Sequence, residues 1–484
     1  MNLRRWISAA IACAALAAAC TVPSARAAGS AADTVSAASF AGDWHGQLNA
    51  GFSKLQLVVH FKRQPDGGLS ATFDSPDQSA FGLPVDSVFQ QGRALRFVMN
   101  AIRGSFEGAL DASGDTLAGS WTQGMSLPLA FTRGPAPAIR RPQDPVRPFP
   151  YDEEEVVVEN AAAAVRLAGT LTKPRGPGPF PAALLITGSG PQNRDEELAD
   201  HRPFLVLADH LTRHGLAVLR LDDRGVGRST GTFAGATTRD FAGDARAAVE
   251  FLKRRGEVDR ARIGLIGHSE GGIIAPMLAA DSKDIAFVVL MAGPGLPGEW
   301  ILVRQGELLN RAAGASESLV ALNRAAQEST FAIVKAEQDT AAAARRIRAL
   351  AGRLFAHVGG DQKQAGSAMQ RQLEQQAGFV ASAWFRFFLT YDPAPTLRKV
   401  KCPVLALNGS KDLQVPPAED LAAIAGALEA GGNRDFKTVE LQNLNHLFQT
   451  SATGSVAEYG TIEETIAPAA LDTMTAWIEA HVKK

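Results

Sequence analysis

Cysteine is scarce in this chain, which has three among 484 residues. Cys13 and Cys20 lie close to the N-terminus, so Cys402 is the one thiol that remains beyond that region. One thiol forms no internal disulfide, and the fold must therefore be stabilised by packing. Charge of one sign is lacking too, because 49 Lys and Arg balance 50 Asp and Glu without any basic run. No nucleic-acid partner is expected.

Long hydrophobic runs are also lacking. The apolar stretch over residues 7–19 follows a basic start, and it is short for a membrane-spanning helix. Ala-Arg-Ala at residues 25–27 is a cleavage signal, so residues 1–27 are predicted to be a signal peptide of an exported, periplasmic or secreted protein. The alternative is a membrane-anchored lipoprotein with a lipid anchor at Cys20, since three alanines precede that cysteine.

Residues 38–133 lack any long stretch of helical period. They contain the short β-rich runs KLQLVVHF, GLSATFD, ALRFVMN, GSFEGALD and TLAGSW, which are separated by turn signals. This pattern predicts a small all-β domain, either an antiparallel barrel or a sandwich. Its His45 and His60 have no acidic partners at a useful spacing and are expected to be structural. Residues 134–150 are rich in proline and are predicted to be a linker.

Strand-like and helical segments alternate from residue 151 to residue 484. The strand-like runs are EEVVVEN, VRLAGTLT, PAALLITGSG, LAVLRLDD, RIGLIGH, IAFVVLMAG, CPVLALNGS and FKTVELQN. Most of the later runs are continuously apolar, which is typical of strands buried on both faces of a mostly parallel sheet covered by helices. Residues 299–395 depart from this alternation, because they contain helical stretches only. They are predicted to form a helical cap insertion or, alternatively, a structural appendage.

Two pentapeptides match the Gly-x-Ser-x-Gly pattern of a serine hydrolase nucleophile. They are centred on Ser229 and Ser269. A nucleophile of this kind lies where a strand ends and a helix begins, in a turn so tight that the flanking positions must be glycine. Ser269 lies between the apolar run IGLI and the helix-like GGIIAPMLAA, whereas Ser229 is followed by a Gly- and Thr-rich loop. Ser269 is therefore the predicted nucleophile, and Ser229 is predicted to be structural.

A serine hydroxyl needs a base and an acid that orients the base. His446 follows the last predicted strand and is the predicted base, whereas His481 lies in the final helical turn. Asp412 lies at the end of the run VLALNGSKD and is the predicted acid. Its competitors, Glu419 and Asp420, lie at the start of a helix, where acidic residues are favoured for another reason.

A tetrahedral oxyanion requires two backbone N–H donors. One is predicted at Glu270, directly after the nucleophile, and the other at Ser189, with Gly190 as the alternative. No cofactor and no metal ligand set is expected.

The motifs ITGSGPQNRDE, RLDDRGVGRSTG, GLIGHSEGG, LNGSKDLQVP and NLNHLFQ together resemble the α/β-hydrolase superfamily. More narrowly, they are similar to secreted bacterial carboxylesterases of the EstD type, which carry an extra N-terminal β domain. The resemblance runs through residues 150–484. It implies an α/β-hydrolase fold and hydrolysis of a small-molecule ester through an acyl-enzyme, with Ser269, Asp412 and His446 as the catalytic triad.

Three functions fit these motifs. The first is a serine carboxylesterase that acts on short to medium acyl esters. The second is a serine peptidase or acylaminoacyl-type hydrolase, although the β domain lacks the blade-length repeat of the propellers that accompany such peptidases. The third is a binding protein built on a hydrolase scaffold.

Overall fold

In a computed structural model, residues 40–49, 54–75, 80–123, 125–135, 140–355 and 363–482 are described. The predicted signal peptide and the candidate lipid anchor at Cys20 lie outside these ranges. The chain divides between Arg140 and Arg141 into two compact units. This point falls within the proline-rich segment that was predicted to be a linker.

The N-terminal unit is a single antiparallel sheet of nine strands. The strands are β1 (Gly42–Asn49), β2 (Lys54–Arg63), β3 (Leu69–Ser75), β4 (Ala80–Pro84), β5 (Ser87–Gln91), β6 (Ala94–Met99), β7 (Gly104–Leu110), β8 (Thr116–Gln123) and β9 (Met125–Arg133). Their order across the sheet is β4-β3-β2-β1-β9-β8-β7-β6-β5. A short 3-10 helix, Asn100–Ile102, joins β6 to β7. The unit is thus one curved sheet rather than the two packed sheets of a sandwich.

Aromatic side chains fill the core of this unit. Successive residues of a strand point to opposite faces, and the buried positions of β6 accordingly alternate with more exposed ones. Phe97 stacks on Phe106 with ring centroids 5.4 Å apart, and Phe73 stacks on Trp121 at 5.3 Å. The indole N–H of Trp44 donates to the carbonyl of Phe40 at 2.7 Å, so that this buried donor is satisfied.

The expectation that His60 has no acidic partner is wrong. Its Nδ1 lies 2.7 Å from Asp43 Oδ1, and its Nε2 lies 3.0 Å from Asp74 Oδ2. The pairing of β1 with β2 places Asp43 opposite His60, and β3 carries Asp74 on the other side. Burial lowers the pKa of His60, but the two carboxylates outweigh burial and the pKa is raised.

The C-terminal unit contains a sheet of eight strands, one for each strand-like run of the sequence. They are β10 (Asp152–Asn160), β11 (Val165–Lys173), β12 (Phe180–Ile186), β13 (Ala217–Leu221), β14 (Val258–His268), β15 (Ile285–Met291), β16 (Val404–Gly409) and β17 (Phe436–Leu441). Their order is β10-β11-β13-β12-β14-β15-β16-β17. β11 pairs antiparallel with β10 and β13, and the pairs from β13 through β12 to β17 are parallel.

Helices cover both faces of this sheet. They are α1 (Pro203–Arg213), α2 (Thr238–Lys253), α3 (Gly271–Asp281), α10 (Pro417–Ala430) and α11 (Pro468–Val482). Side chains of α2, α3 and α10 pack on one face, and those of α1 and α11 pack on the other. Strands such as β16 are therefore buried at every residue, which explains their continuous apolar sequence. A second 3-10 helix, Val456–Thr461, precedes α11.

The segment between β15 and β16 carries six helices and, in its described residues, no strand. The helices are α4 (Gly298–Ala312), α5 (Glu317–Ala336), α6 (Thr340–Phe355), α7 (Lys363–Val380), α8 (Ala383–Thr390) and α9 (Ala394–Leu397). Phe331, Trp384, Phe385 and Phe388 of this insertion form an apolar cluster with Ile273 of α3. The insertion thus packs on the helix that follows Ser269.

Cys402 lies directly before β16 and is partly buried. Burial raises the pKa of its thiol to about 12. Because the thiolate is the reactive form of cysteine, this thiol is inert near neutral pH.

Candidate active site

Ser269 occupies a strained turn between β14, which ends at His268, and α3, which begins at Gly271. Its φ is +51°, a conformation that side chains other than glycine rarely adopt. The turn is tight on both sides. A Cβ at Gly267 would lie 2.0 Å from the carbonyl oxygen of Gly271, and one at Gly271 would lie 2.1 Å from that of Ile186. The geometry is that of a nucleophile elbow.

The hydroxyl of Ser229 is fully engaged in the fold. It donates to the carbonyl of Asp222 at 2.8 Å and accepts from the N–H of Ala168 at 2.9 Å. Both partners are backbone groups, and Ser229 is buried. The second Gly-x-Ser-x-Gly match therefore links the loop after β13 to β11, as expected of a structural serine.

Asp412 and His446 form a buried hydrogen-bonded pair. Nδ1 of His446 lies 2.7 Å from Oδ2 of Asp412. The other carboxylate oxygen accepts from the N–H groups of Gln414 at 2.7 Å and Val415 at 2.9 Å, which fixes the plane of the carboxylate. An ionised carboxylate only accepts hydrogen bonds, so the proton of neutral His446 lies on Nδ1, which donates it to Asp412. Nε2 is then the basic nitrogen.

The competing acids and the competing histidine lie elsewhere. Oδ1 of Asp420 accepts from the N–H of Gly295 at 2.7 Å, and burial raises the pKa of this carboxyl to about 8. Glu419 pairs with Arg304. Nδ1 of His481 lies 2.7 Å from a carbonyl of its own helix, α11. None of the three is bonded to the other predicted site residues in the described part of the chain.

Ser269 and the Asp412–His446 pair meet at the carboxyl ends of their strands. Ser269 follows β14, Asp412 follows β16 and His446 follows β17, and these strands run parallel. The imidazoles of His268 and His446 have centroids 4.9 Å apart, so the predicted base lies beside the residue that precedes Ser269. Across the described ranges the Ser269 hydroxyl makes no hydrogen bond, and such catalytic bonds often form only once substrate is bound.

The predicted oxyanion donors lie next to Ser269. A Cβ on Gly188 would be 3.2 Å from Cβ of Ser269, so the loop after β12 packs directly against the nucleophile. Among the described residues, no acceptor is bonded to the N–H groups of Ser189, Gly190 or Glu270. Glu270 also lies at the N-terminus of α3, where backbone N–H groups favour negative charge.

Two carboxyl groups next to this loop, the buried Glu270 and the partly buried Asp223, have no basic partner among the described residues. Oε1 of Glu270 accepts from the Thr238 hydroxyl at 2.6 Å and from the Trp384 indole N–H at 2.8 Å. Burial raises the pKa of Glu270, while these hydrogen bonds act in the opposite direction. Asp223 accepts from Thr187 and from the N–H of Gln192, and burial raises its pKa well above the usual range.

Sequence reasoning missed the side chains of Glu196, His268 and Glu270. Each stands inside a motif that was singled out, yet only the backbone of Glu270 was given a role. For His268 a signal was available, because it is a titratable residue at the end of an otherwise apolar strand, where burial requires a partner.

The described residues contain neither a metal-binding cluster nor a membrane-spanning helix. Within the described residues, no group of three or more His, Cys, Asp and Glu side chains is arranged to hold a metal ion. The helices of the described ranges include none that is both long and apolar enough to cross a membrane.

The family model described as serine aminopeptidase, S33, matches residues 201–448. That is just over half of the chain. This protein belongs to the serine aminopeptidase S33 family. The matched region contains Ser269, Asp412 and His446, and it begins after Ser189. Within this family the chain is an EstD-like α/β-hydrolase, as the motifs implied.

Two relatives of this S33 hydrolase illustrate the likeness. Esterase EstD of Thermotoga maritima is 27% identical over 307 residues, which are 63% of this chain and 62% of that protein. An uncharacterized protein of Mycobacterium tuberculosis is 33% identical over 181 residues, 37% of this chain and 57% of that protein. The chain thus covers less than two thirds of either relative.

Solved structures of low sequence identity were also matched. DcsB, in complex with its substrate analogue, is 17% identical with a TM-score of 0.43, covering 69% of this chain and 100% of DcsB. The esterase Pf2001 of Pyrococcus furiosus is 14% identical with a TM-score of 0.40, covering 72% of this chain and 99% of that one.

Proposed function

We propose that this S33 hydrolase is a serine carboxylesterase that acts on short to medium acyl esters. The observation that carries the proposal is the buried Asp412–His446 pair, whose Nδ1–Oδ2 distance is 2.7 Å, beside the strained turn of Ser269. The likeness to an esterase of Thermotoga maritima supports the choice of an ester.

Hydrolysis would proceed in two halves. Ser269 Oγ attacks the ester carbonyl and transfers its proton to Nε2 of His446, and Asp412 stabilises the imidazolium. The N–H groups of Glu270 and Ser189 donate to the oxyanion. The tetrahedral intermediate expels the alcohol, which takes the proton from His446, and an acyl-enzyme remains on Ser269. Water, deprotonated by His446, then releases the carboxylic acid and restores the serine.

The helical insertion is proposed to act as a cap that shapes the acyl pocket. Its aromatic cluster contacts Ile273, and Trp384 donates to the side chain of Glu270. Both contacted residues belong to the segment that begins just after Ser269. Side chains from this insertion are thus in a position to limit the length of the acyl chain.

A second candidate is cleavage of an amide, as in an aminopeptidase. The description of the matching family favours it, and so do two carboxyl groups, Asp223 and Glu270, which line a cavity beside Gly188 and Gly190. A substrate ammonium group bound there would favour the ionised form of these carboxyl groups and would pair with it.

The test is a comparison of initial rates on p-nitrophenyl esters from C2 to C16 and on p-nitroanilide peptides. Wild type is compared with Ser269→Ala and with Ser229→Ala, the matched serine control. We expect ester turnover that is lost in Ser269→Ala and kept, per folded molecule, in Ser229→Ala. Peptide turnover without ester turnover would favour the aminopeptidase, and turnover of neither would favour a binding protein on a hydrolase scaffold.

A further inference from the structure

Glu196 is a buried carboxylate in the loop that follows β12. Its side chain is 1% exposed, and Oε1 accepts from the N–H of Gly188 at 2.6 Å and lies 2.9 Å from Nδ1 of His268. The backbone of Glu196 has a φ of +52°, which is unfavourable for a residue other than glycine. Strain of this kind persists where the surroundings over-determine the conformation, and it clusters at functional sites.

His268 extends this contact to the base. It is buried, and its Nε2 lies 3.1 Å from the carbonyl oxygen of His446. A carbonyl oxygen only accepts, so Nε2 of His268 carries a proton and donates to it. Burial is the largest influence on the pKa of His268 and lowers it. The charge of Glu196 and the hydrogen bonds to Glu196 and His446 outweigh burial, and the pKa is raised.

Each end of this chain of contacts adjoins a predicted catalytic group. Gly188 precedes Ser189, a predicted oxyanion donor, and His268 precedes Ser269. The third contact is made to the backbone of His446 itself. We propose that Glu196 and His268 are positioning residues that hold the oxyanion loop, the nucleophile and the base in one geometry. This inference rests on the proposed hydrolase mechanism.

Packing alone does not account for the pair. Oε2 of Glu196 has no hydrogen-bond partner within the described residues. Burying a carboxylate is unfavourable, and a buried ion pair is often no more stabilising than apolar side chains of similar volume. The pair instead fixes the position of the loop after β12, since a shift of Gly188 would displace the N–H donor of Ser189 relative to Ser269.

The first experiment removes or preserves individual contacts by substitution of Glu196 and His268. Glu196→Ala removes the oxygen that accepts both hydrogen bonds, whereas Glu196→Gln keeps an acceptor for Gly188. His268→Gln keeps a donor near the carbonyl of His446, whereas His268→Phe removes both ring nitrogens. Glu197→Gln is the matched control, because Glu197 is the exposed neighbour and bonds to Asn193.

We expect Glu196→Ala and His268→Phe to lower kcat on the best p-nitrophenyl ester by about 10- to 100-fold, with KM changed by less than about threefold, because misplacement by 1 Å costs about 100-fold. Glu196→Gln and His268→Gln should recover part of this loss. Glu197→Gln should match wild type. Each kcat is referred to the fraction of active enzyme, measured from the burst of p-nitrophenol.

The double variant Glu196→Gln/His268→Gln measures whether the two residues act as a unit. If they do, its loss of kcat is smaller than the product of the two single losses. Variants that melt at lower temperature but keep wild-type kcat per active site would overturn the positioning role and leave the esterase proposal intact. A wild-type enzyme that turns over neither esters nor peptides would overturn both proposals.

Discussion

At the scale of single residues, the site depends on groups whose surroundings leave them one conformation. Ser269 keeps a φ of +51° because Gly267 and Gly271 allow backbone atoms to approach where a Cβ would collide. Asp412 accepts three hydrogen bonds, two of which come from the backbone of its own loop. Such pre-organised groups need little rearrangement when charge develops in the transition state.

Replacement of Asp412 by asparagine should abolish most of the activity without changing the fold. The amide fills the same space but presents no negative charge to His446, so the imidazolium is not stabilised and the wrong tautomer is favoured. We expect kcat on a p-nitrophenyl ester to fall on the order of 10³- to 10⁴-fold.

Asp420→Asn is the matched control for that experiment. Asp420 lies close to Asp412 along the chain and is equally buried, but its carboxyl group bonds to Gly295 rather than to His446. Its kcat should stay within about twofold of wild type, because Asp420 makes no hydrogen bond to Ser269, Asp412 or His446 among the described residues. Equal losses in the two variants would contradict the assignment of Asp412.

The raised pKa of Asp420 predicts that the stability of the folded protein depends on pH. Its pKa is raised to about 8 in the folded protein, so the folded state holds a proton that the unfolded chain releases near pH 4. Stability from this group is therefore present below pH 4 and is lost as pH rises toward 8, at up to about 1.4 kcal/mol per pH unit.

Asp420→Asn should remove this loss, because an amide resembles the protonated acid at every pH. The measurement is the midpoint of thermal unfolding between pH 5 and pH 8.5, for wild type and for the variant. The difference in midpoint should favour the variant increasingly with pH. A difference that does not change with pH would count against a protonated Asp420.

At the scale of the elements, the two sheets differ in how far the sequence predicts them. All eight strands of the C-terminal unit were found because strand-like runs, most of the later ones continuously apolar, alternate with helical stretches along this part of the chain. In the N-terminal unit β1, β4, β5 and β9 were not recognised. These strands are short or mix polar with apolar residues, and pairing with distant strands decides their conformation.

The residues of the candidate site likewise divide into those that the sequence predicts and those that it does not. Ser269, Asp412 and His446 were assigned because each follows a recognisable strand. The bonds of Glu196 and His268 were missed because they join residues 72 and 178 positions apart, and no local pattern predicts such a contact. His60 is a similar case, since its two acidic partners lie on neighbouring strands.

The contact between α8 and the nucleophile turn should contribute to stability. Trp384→Phe keeps the apolar packing of the insertion but removes the N–H that donates to Glu270. Loss of a donor to a buried carboxyl costs about 1–3 kcal/mol. We expect a corresponding drop in the free energy of unfolding by urea.

Trp300→Phe serves as the control, because Trp300 lies on α4 of the same insertion and is 37% exposed. It should unfold at the same urea concentration as wild type. The ester series adds a second measurement, since a displaced α8 should shift the preferred acyl length in Trp384→Phe only. An unchanged midpoint in Trp384→Phe would show that the bond contributes nothing to stability.

At the scale of the whole molecule, we propose that the chain is exported and cleaved after Ala27. The observation behind it is the basic, apolar and Ala-x-Ala succession of residues 1–27. Protein recovered from the periplasm or the medium of an expressing bacterium should begin at residue 28 on N-terminal sequencing.

The lipid anchor gives a different outcome in the same measurement. A mature chain that begins at Cys20 with the mass of an added diacylglycerol would identify a lipoprotein, and Cys20→Ser would then remove it from the membrane fraction. A chain that still begins at Met1 would contradict both forms of processing.

Cys402 has a consequence for how this protein can be made. If the chain is cleaved after Ala27 as proposed, Cys402 is the one sulfhydryl left in the sequence, and with a pKa of about 12 it remains protonated and resistant to exchange. The polypeptide consequently has the same covalent structure whether it matures under reducing or oxidising conditions. A leaderless gene expressed in a bacterial cytosol should yield the authentic enzyme, with no need for an oxidase or an isomerase.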